Sequence, residues 1–143
     1  MTVAVMLARK GHDVVTVHPD DKMIDVCRLL ETRGIGAIVV TDDAGAVAGI
    51  ISERDFVRAL AREGAGFLDQ PVAAYMTGDV VTCELEDSVP DVMGRMTEGK
   101  FRHMPVVEDG RLVGVVSIGD AVKHRIAEVE AESQAMRAYI ATG

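Results

Sequence analysis

Apolar side chains recur along the chain with two periods, and these predict alternating strands and helices. Residues 14–17 are a β-branched run typical of a short strand. Residues 37–41 and 47–51 are further apolar runs on either side of an Asp-Asp-Ala-Gly turn. Helices are expected between the first two runs and from Ser52 onward. The first helix has one buried face with the i, i+3, i+4, i+7 spacing, formed by Met23, Val26, Cys27 and Leu30.

The same pattern occurs a second time, displaced by 66 positions. Val14-Val15-Thr16 recurs as Val80-Val81-Thr82, and after one unmatched residue at Ala44 the pairing resumes. Gly49-Ile50-Ile51-Ser52-Glu53-Arg54-Asp55 then lies opposite Gly114-Val115-Val116-Ser117-Ile118-Gly119-Asp120. We therefore predict an internal duplication. Two strand-helix-strand-strand-helix units of an α/β (α+β) fold would be related by a pseudo-two-fold axis, with clefts between them.

The boundaries of these units follow from the breaks in the pattern. We predict a first repeat with an N-terminal helical segment at 1–64, a connector at 65–71, a second repeat at 72–126 and a C-terminal helix extension at 127–143. Gly34 and Gly99 stand where the first helix of each unit would end in a left-handed residue. The extension carries an apolar edge that must pack on something, such as a second subunit, and that edge is formed by Met136, Tyr139 and Ile140.

Composition limits the ligands and partners that the chain can bind. The chain has 143 residues, enough for one compact module, and 48% of them are hydrophobic but only 3% aromatic. A planar ligand would therefore be held by aliphatic side chains. The net charge of −8 argues against nucleic-acid or membrane binding. Cys27 and Cys83 lack metal-ligand spacing and are interpreted as reduced core thiols. With no apolar run long enough to span a bilayer, we predict a soluble cytoplasmic protein.

The repeated Ser-x-x-Asp motif has two interpretations. Ser at a helix start with Asp three residues later resembles a capping box, which would explain Ser52 with Asp55 and Ser117 with Asp120. The same geometry also suits a nucleotide, because a helix N-terminus and a hydroxyl can meet a phosphate while a carboxylate accepts a ribose diol. Gly49 or Gly114 would let the ligand lie against the strand. Two copies in register favour the nucleotide interpretation.

The duplicated unit ending in Gly-apolar-apolar-Ser-x-x-Asp resembles the cystathionine-β-synthase (CBS) domain, and the pair resembles a tandem CBS, or Bateman, module. The likeness covers roughly residues 3–125. Residues 50–55 and 102–107 are similar to those of stand-alone bacterial two-CBS proteins. The resemblance implies that clefts between the repeats bind AMP or another adenosine compound (ADP, ATP, NAD(H) or S-adenosylmethionine). It also implies a homodimer.

The resemblance assigns roles to matching residues. Asp55 and Asp120 would hold ribose hydroxyls, and Ser52 and Ser117 would meet the phosphate. The backbone at the first strands would lie beside the base, and the entries to the second strands would line the clefts. The first-strand residues are Thr16 and Thr82. The residues at the entries to the second strands are Gly36, Ala37, Arg102, His103, Met104 and Pro105.

The two sites are not equivalent. Arg54 of the first repeat corresponds to Gly119 of the second. Conversely, Arg102 and His103 of the second repeat correspond to Gly36 and Ala37 of the first. Arg54, Arg102 and His103 could converge on one phosphate region, because arginine forms charge-assisted bonds to phosphate. Alternatively, Arg54 is an exposed helix residue.

The sequence gives little support for catalysis, since it contains no strained nucleophile turn, no Walker loop and no metal-ligand spacing. We therefore expect no enzyme activity, no metal and no required cofactor. The favoured interpretation is a regulatory sensor that binds an adenine nucleotide and signals to a separate, unidentified partner protein. The alternative is a constitutive dimerisation or adaptor module.

Overall fold

The computed structural model describes residues 1–11 and 13–142. His12, within the predicted first repeat, and Gly143, at the end of the predicted extension, lie outside the described residues. The first half of the chain forms three helices and three strands in the predicted order, and the hydrophobic stripe of the second helix is buried at Met23, Val26 and Leu30. These elements are α1 (Val3–Lys10), β1 (Thr16–Val17), α2 (Met23–Arg33), β2 (Ala37–Thr41), β3 (Val47–Ser52) and α3 (Glu53–Glu63).

The second half repeats the helix-strand-strand-helix part of this order. It follows one short 3₁₀ turn over the predicted connector, at Gly64–Asp69, and a second at the start of the predicted second repeat, at Val72–Ala74. Its hairpin turns at Asp109 and Gly110, which both have positive φ as the predicted Asp-Gly turn requires. The last helix continues unbroken into the predicted extension. The elements are α4 (Val89–Gly99), β4 (His103–Glu108), β5 (Arg111–Ser117) and α5 (Ile118–Thr142).

Each repeat is built on a hairpin, and the repeats differ in their first strand. In repeat one, β1 runs parallel to β2 and β2 is antiparallel to β3. In repeat two, β4 and β5 form the same hairpin, but the first strand that the duplication predicts, around Thr82, is reduced to an isolated parallel bridge from Cys83 to Val106. The carbonyl of Thr82 accepts a hydrogen bond from Arg95 Nη1 at 3.2 Å, which occupies a group that a longer strand would pair.

The helical segment that precedes each repeat packs on the core of the other repeat. Val3, Met6 and Leu7 of α1 belong to the hydrophobic core of repeat two. Val72 and Met76, in the opening segment of repeat two, pack in the core of repeat one. The sequence pattern had grouped each segment with the repeat that follows it. This exchange ties the two repeats together and fixes the walls of the space between them.

The exchange also corrects the prediction for the strand glycines. A Cβ on Gly49 would lie 2.4 Å from Met76 Sδ and 2.9 Å from the Thr77 carbonyl oxygen. A Cβ on Gly114 would lie 2.7 Å from Leu7 Cδ1. The space beside each glycine is therefore filled by the crossing segment of the other repeat, and the prediction that a ligand lies there is wrong.

The helix ends match the prediction in one repeat only. Gly34 ends α2 in the left-handed region, with φ 62°, as predicted. For α4 the prediction is off by one residue, because Gly99 is still helical and Lys100 takes the left-handed conformation, with φ 59°. A Cβ on Gly99 would overlap the Phe101 ring, so this glycine is required by packing instead.

Two clefts between the repeats as the candidate functional site

The two hairpins meet where β2 and β4 begin. The strand register sets Ala37 opposite Ser52 in repeat one and His103 opposite Ser117 in repeat two. Each Ser-x-x-Asp motif therefore lies next to the beginning of the neighbouring strand of its own hairpin. Two clefts open on either side of this meeting point, and Gly36 and His103 line both of them.

Cleft one contains the Ser-x-x-Asp motif of repeat one and has a volume of about 990 Å³. This lies at the upper end of the range of about 300–1,000 Å³ usual for small-molecule sites. Both repeats contribute to its walls, so a ligand there would bridge them. The lining residues from repeat one include Ser52, Arg54, Asp55 and Arg58, and those from repeat two include Val80, Val81, Lys100, Phe101, Arg102 and His103.

Cleft one is basic in an acidic chain. Four cationic side chains line it, against three acidic ones at Glu53, Asp55 and Asp79. The cations come from opposite repeats, as the sequence suggested for Arg54 and Arg102. Such a cluster suits a phosphate, because guanidinium groups give charge-assisted and often bidentate bonds. The four cationic residues are Arg54, Arg58, Lys100 and Arg102.

The Ser-x-x-Asp motifs do form helix caps. Asp55 Oδ2 accepts a hydrogen bond from Ser52 N at 2.8 Å and another from Ser52 Oγ at 3.1 Å. In repeat two, Ser117 Oγ donates to Asp120 Oδ2 at 2.8 Å and accepts from Asp120 N at 3.1 Å. The capping interpretation therefore accounts for Oδ2 in each motif, and within the described part of the chain Oδ1 accepts no hydrogen bond.

Cleft two contains the second motif and is smaller, about 340 Å³. Lys10, at the end of α1, points into it and forms an ion pair of 2.5 Å with Asp120 Oδ2. The same ammonium donates to the Val115 carbonyl oxygen at 2.9 Å. Burial raises the pKa of the Asp120 carboxyl, but hydrogen bonds from Lys10 and Ser117 outweigh it, so its pKa lies below the ordinary value. This carboxylate is therefore held by a lysine of its own chain.

His103, which borders both clefts, is half-buried. Burial lowers its pKa from the ordinary value, and the charges of Lys10 and Arg102 lower it further, against the opposing effect of Asp120 and Glu53. The imidazole is therefore mainly neutral near pH 7 and can serve either as a hydrogen-bond donor or as an acceptor.

Of the thirteen predicted site residues, nine line a cleft. Gly36, Ser52, Arg54, Asp55, Arg102 and His103 line cleft one, and Gly36, Ala37, His103, Ser117 and Asp120 line cleft two.

The remaining four predicted residues line neither cleft. Thr16 and Thr82 lie just beyond the valines that do, and Met104 and Pro105 are buried, Met104 completely in the core of repeat two. Because alternate side chains of a strand point to opposite faces, Met104 points away from the face that carries His103. Pro105 shares the face of His103 but is buried further along β4.

Several lining residues were not predicted. Val80 and Val81 line cleft one, and their counterparts Val14 and Val15 line cleft two. The duplication carried a signal for these valines, since the two pairs occupy matching positions of the two repeats. Lys10 gave no signal, because it has no counterpart in the other repeat. Among the described residues, no group of His, Cys, Asp and Glu side chains is placed to hold a metal ion.

Comparison with known proteins agrees with this geometry. The family profile for the CBS domain matches residues 7–62 and again residues 72–127. The chain belongs to the CBS-domain family. The predicted resemblance and the predicted fold class are thereby confirmed.

Relatives of this CBS-domain chain include both plant and bacterial proteins. The mitochondrial CBS domain-containing protein CBSX3 of Arabidopsis thaliana is 35% identical over 128 residues, covering 87% of this chain and 62% of its own. The chain thus spans less than two thirds of that relative. The CBS-domain containing protein ATU1752 from Agrobacterium tumefaciens superimposes with a TM-score of 0.84 at 49% identity, covering 87% of this chain and 99% of its own.

A further solved structure is a CBS-domain pair with ligands. The pair of protein MJ0100, in complex with 5′-methylthioadenosine and S-adenosyl-L-methionine, superimposes with a TM-score of 0.77 at 25% identity. The match covers 86% of this chain and 98% of that one.

Proposed function

We propose that this CBS pair is a regulatory module that binds a phosphorylated adenosine compound, AMP in the simplest case, in cleft one. The observation that carries the proposal is the combination of Asp55 with four cationic side chains in one cleft. The Asp55 carboxylate would accept the ribose hydroxyls, and the cations would neutralise the phosphate. Val80 and Val81 would provide an aliphatic wall for the base.

The hydrogen-bond partners of Asp55 and Asp120 favour cleft one as the nucleotide site. Among the described residues Asp55 accepts hydrogen bonds from Ser52 alone, whereas Asp120 is also paired with Lys10. A ribose that binds at Asp120 would compete with this ammonium for Oδ2. Cleft two is also largely apolar, with Lys10 as its one cationic side chain among the described residues. A phosphate therefore has fewer partners there.

The comparison with MJ0100 supports the ligand class. That CBS pair binds 5′-methylthioadenosine and S-adenosyl-L-methionine, which are both adenosine compounds. The arginines and the lysine of cleft one argue for a phosphate at the 5′ position in this chain, since these four cations outnumber the three acidic side chains of the cleft. Occupation of the cleft would join the two repeats and bias their relative angle, provided that the ligand binds the two arrangements with different affinity.

The proposal includes a homodimer and a separate protein target. Val57 on α3 and Val122 on α5 are equivalent positions of the two repeats, and both are exposed, at 66% and 43%. A matched pair of exposed apolar side chains on equivalent helices of the two repeats suits association with a second copy. The regulated partner would be another protein that reads the angle between the repeats.

Neither catalysis nor a membrane-spanning role enters the proposal. Both motif serines donate their hydroxyl protons to the aspartate of the same helix cap, which is not the arrangement of an activated nucleophile. No helix among the described residues combines the length and apolarity needed to cross a bilayer. Cys27 and Cys83 are free cysteines, which suits a reducing compartment such as the cytosol.

The test compares nucleotides with unphosphorylated adenosine in a thermal-shift titration. A ligand at about 100 times its Kd adds roughly 2.7 kcal/mol of apparent stability, which amounts to several degrees for a chain of this size. We expect a shift with AMP and a smaller one with guanosine monophosphate, with ADP, ATP, NADH and S-adenosylmethionine tested beside them. Arg102→Ala should weaken AMP binding and leave adenosine binding unchanged.

The matched control is Arg33→Ala, which removes an exposed arginine that lies outside both clefts. If no adenosine compound shifts the wild type, the sensor proposal fails and the adaptor interpretation replaces it. If Arg102→Ala and Arg33→Ala behave alike with AMP, Arg102 does not contact the phosphate.

A further inference from the structure

The second half of α5 extends away from the body of the protein. Ala121 and His124 are the buried residues of this helix, and every described residue after Glu128 is exposed. A lone helical segment of about 14 residues is marginal in water, since most helical stability comes from packing of one face. The helix therefore requires a partner that covers part of its surface.

Among the described residues of α5, five of the six large exposed apolar side chains form one regular seam, and the sixth, Tyr139, lies just beside it. Their spacing alternates between four and three residues, and this 3.5-residue period is that of a two-stranded coiled coil. The seam lies on the side of the helix away from Ala121 and His124, which face the protein's own core. Its positions are Val122, Ile126, Val129, Ser133, Met136 and Ile140, and the apolar ones are between 43% and 69% exposed.

The charged residues beside the seam define the orientation of the partner. In a parallel pair, a residue just before one seam position faces the residue five positions later in the other helix. Arg125 would then face Glu130 of the second copy, and Glu132 would face Arg137. Both contacts pair opposite charges, and the two-fold symmetry makes each of them twice.

An antiparallel pair would instead bring like charges together. With the seams aligned, Glu130 would face its own copy, Glu132 would do the same, and Lys123 would face Arg137. Like charges at such positions are destabilising. The pattern therefore favours a second copy of this chain in the parallel orientation over an antiparallel copy.

We propose that the α5 helices of two copies form a short parallel coiled coil that brings the second repeats of a dimer together. The proposal rests on the homodimer of the proposed function and adds its orientation. The seam spans fewer than three heptads, so it supplements contacts made by the body, such as those of Val57, and does not replace them.

Disulfide trapping tests the orientation in the full chain. A parallel pair places the same seam position of both helices side by side, so Met136→Cys should form a covalent dimer under mild oxidation. Ala138→Cys is the matched control, because this position is also exposed but lies on the opposite face of the helix. The wild type reports any contribution of Cys27 and Cys83.

Sedimentation measures the contribution of the seam to the dimer. The double variant Val129→Asp/Met136→Asp should weaken the dimer at least tenfold, whereas Ala131→Asp/Ala138→Asp on the opposite face should leave it unchanged. A wild type that is monomeric at all concentrations would overturn both the homodimer and the coiled coil. A dimer that Met136→Cys does not trap, or that survives Val129→Asp/Met136→Asp, would overturn the coiled coil alone. Neither result bears on AMP binding in cleft one.

Discussion

Replacement of Lys10 by alanine should open cleft two to an adenosine compound. In the wild type, the Lys10 ammonium lies 2.5 Å from Asp120 Oδ2, the carboxylate that the family resemblance assigns to the ribose. The variant removes this ion pair without touching the Ser117–Asp120 cap. The carboxylate then no longer shares Oδ2 with an ammonium, and it can accept ribose hydroxyls more readily.

The magnitude follows from the exposure of the pair. Lys10 is 39% and Asp120 23% exposed at their side chains, so solvent screens the interaction and it is worth no more than about 1 kcal/mol. Since a free-energy change of about 1.4 kcal/mol is a factor of ten in affinity, cleft two should bind adenosine more tightly in Lys10→Ala by up to about fivefold. The free energy of unfolding should fall by a similar or smaller amount.

Calorimetry with adenosine isolates this effect when cleft one is disabled by Asp55→Asn. We expect Asp55→Asn/Lys10→Ala to bind adenosine more tightly than Asp55→Asn. The control Asp55→Asn/Arg9→Ala, which changes an exposed arginine on the same helical turn, should show no gain. Weaker binding in the Lys10 variant would refute the reasoning, because it would make Lys10 a ligand-binding residue.

Three further predictions test the surroundings of the clefts. Lys100→Gly should raise the free energy of unfolding by about 1 kcal/mol in equilibrium urea unfolding, because glycine adopts φ 59° without strain. The same variant should weaken AMP binding in calorimetry, because it removes a cation from cleft one. Gly49→Ala should cost about 1–3 kcal/mol in urea unfolding, because its Cβ would overlap a methionine sulfur and a backbone carbonyl. The backbone hydrogen bond from Glu84 and the Arg95 side chain lower the pKa of Asp87 in the folded protein. The ionised Asp87 carboxylate therefore stabilises the fold above its unfolded pKa, and this stabilisation is lost as the pH falls. Arg95→Ala should reduce the difference between the free energies of unfolding at pH 7 and pH 3.

The duplication made most of the fold predictable. The helical stripe at Met23, Val26 and Leu30 and the Asp-Gly turn at 109–110 are local signals, and both appear where they were expected. The offset between repeats also predicted that residues of opposite repeats would meet. Arg54 and Arg102 do line one cleft, although they are far apart in sequence.

The features that sequence reasoning missed depend on contacts between distant segments. Gly49 and Gly114 look like open strand positions, but Met76 and Leu7 from the crossing segments fill the space beside them. Lys10 is the last residue of α1, a short apolar helix, and only the packing of α1 on repeat two brings it to Asp120. Periodicity reports which face of an element is buried, but not which other segment buries it.

The most direct test of the central claim is calorimetry of AMP with the wild type, Asp55→Asn and Asp120→Asn. The account predicts that the wild type and Asp120→Asn bind one AMP per chain with similar affinity, whereas Asp55→Asn loses at least a factor of ten. If Asp120→Asn alone loses binding, or if AMP does not bind the well-folded wild type, cleft one is not the regulatory nucleotide site.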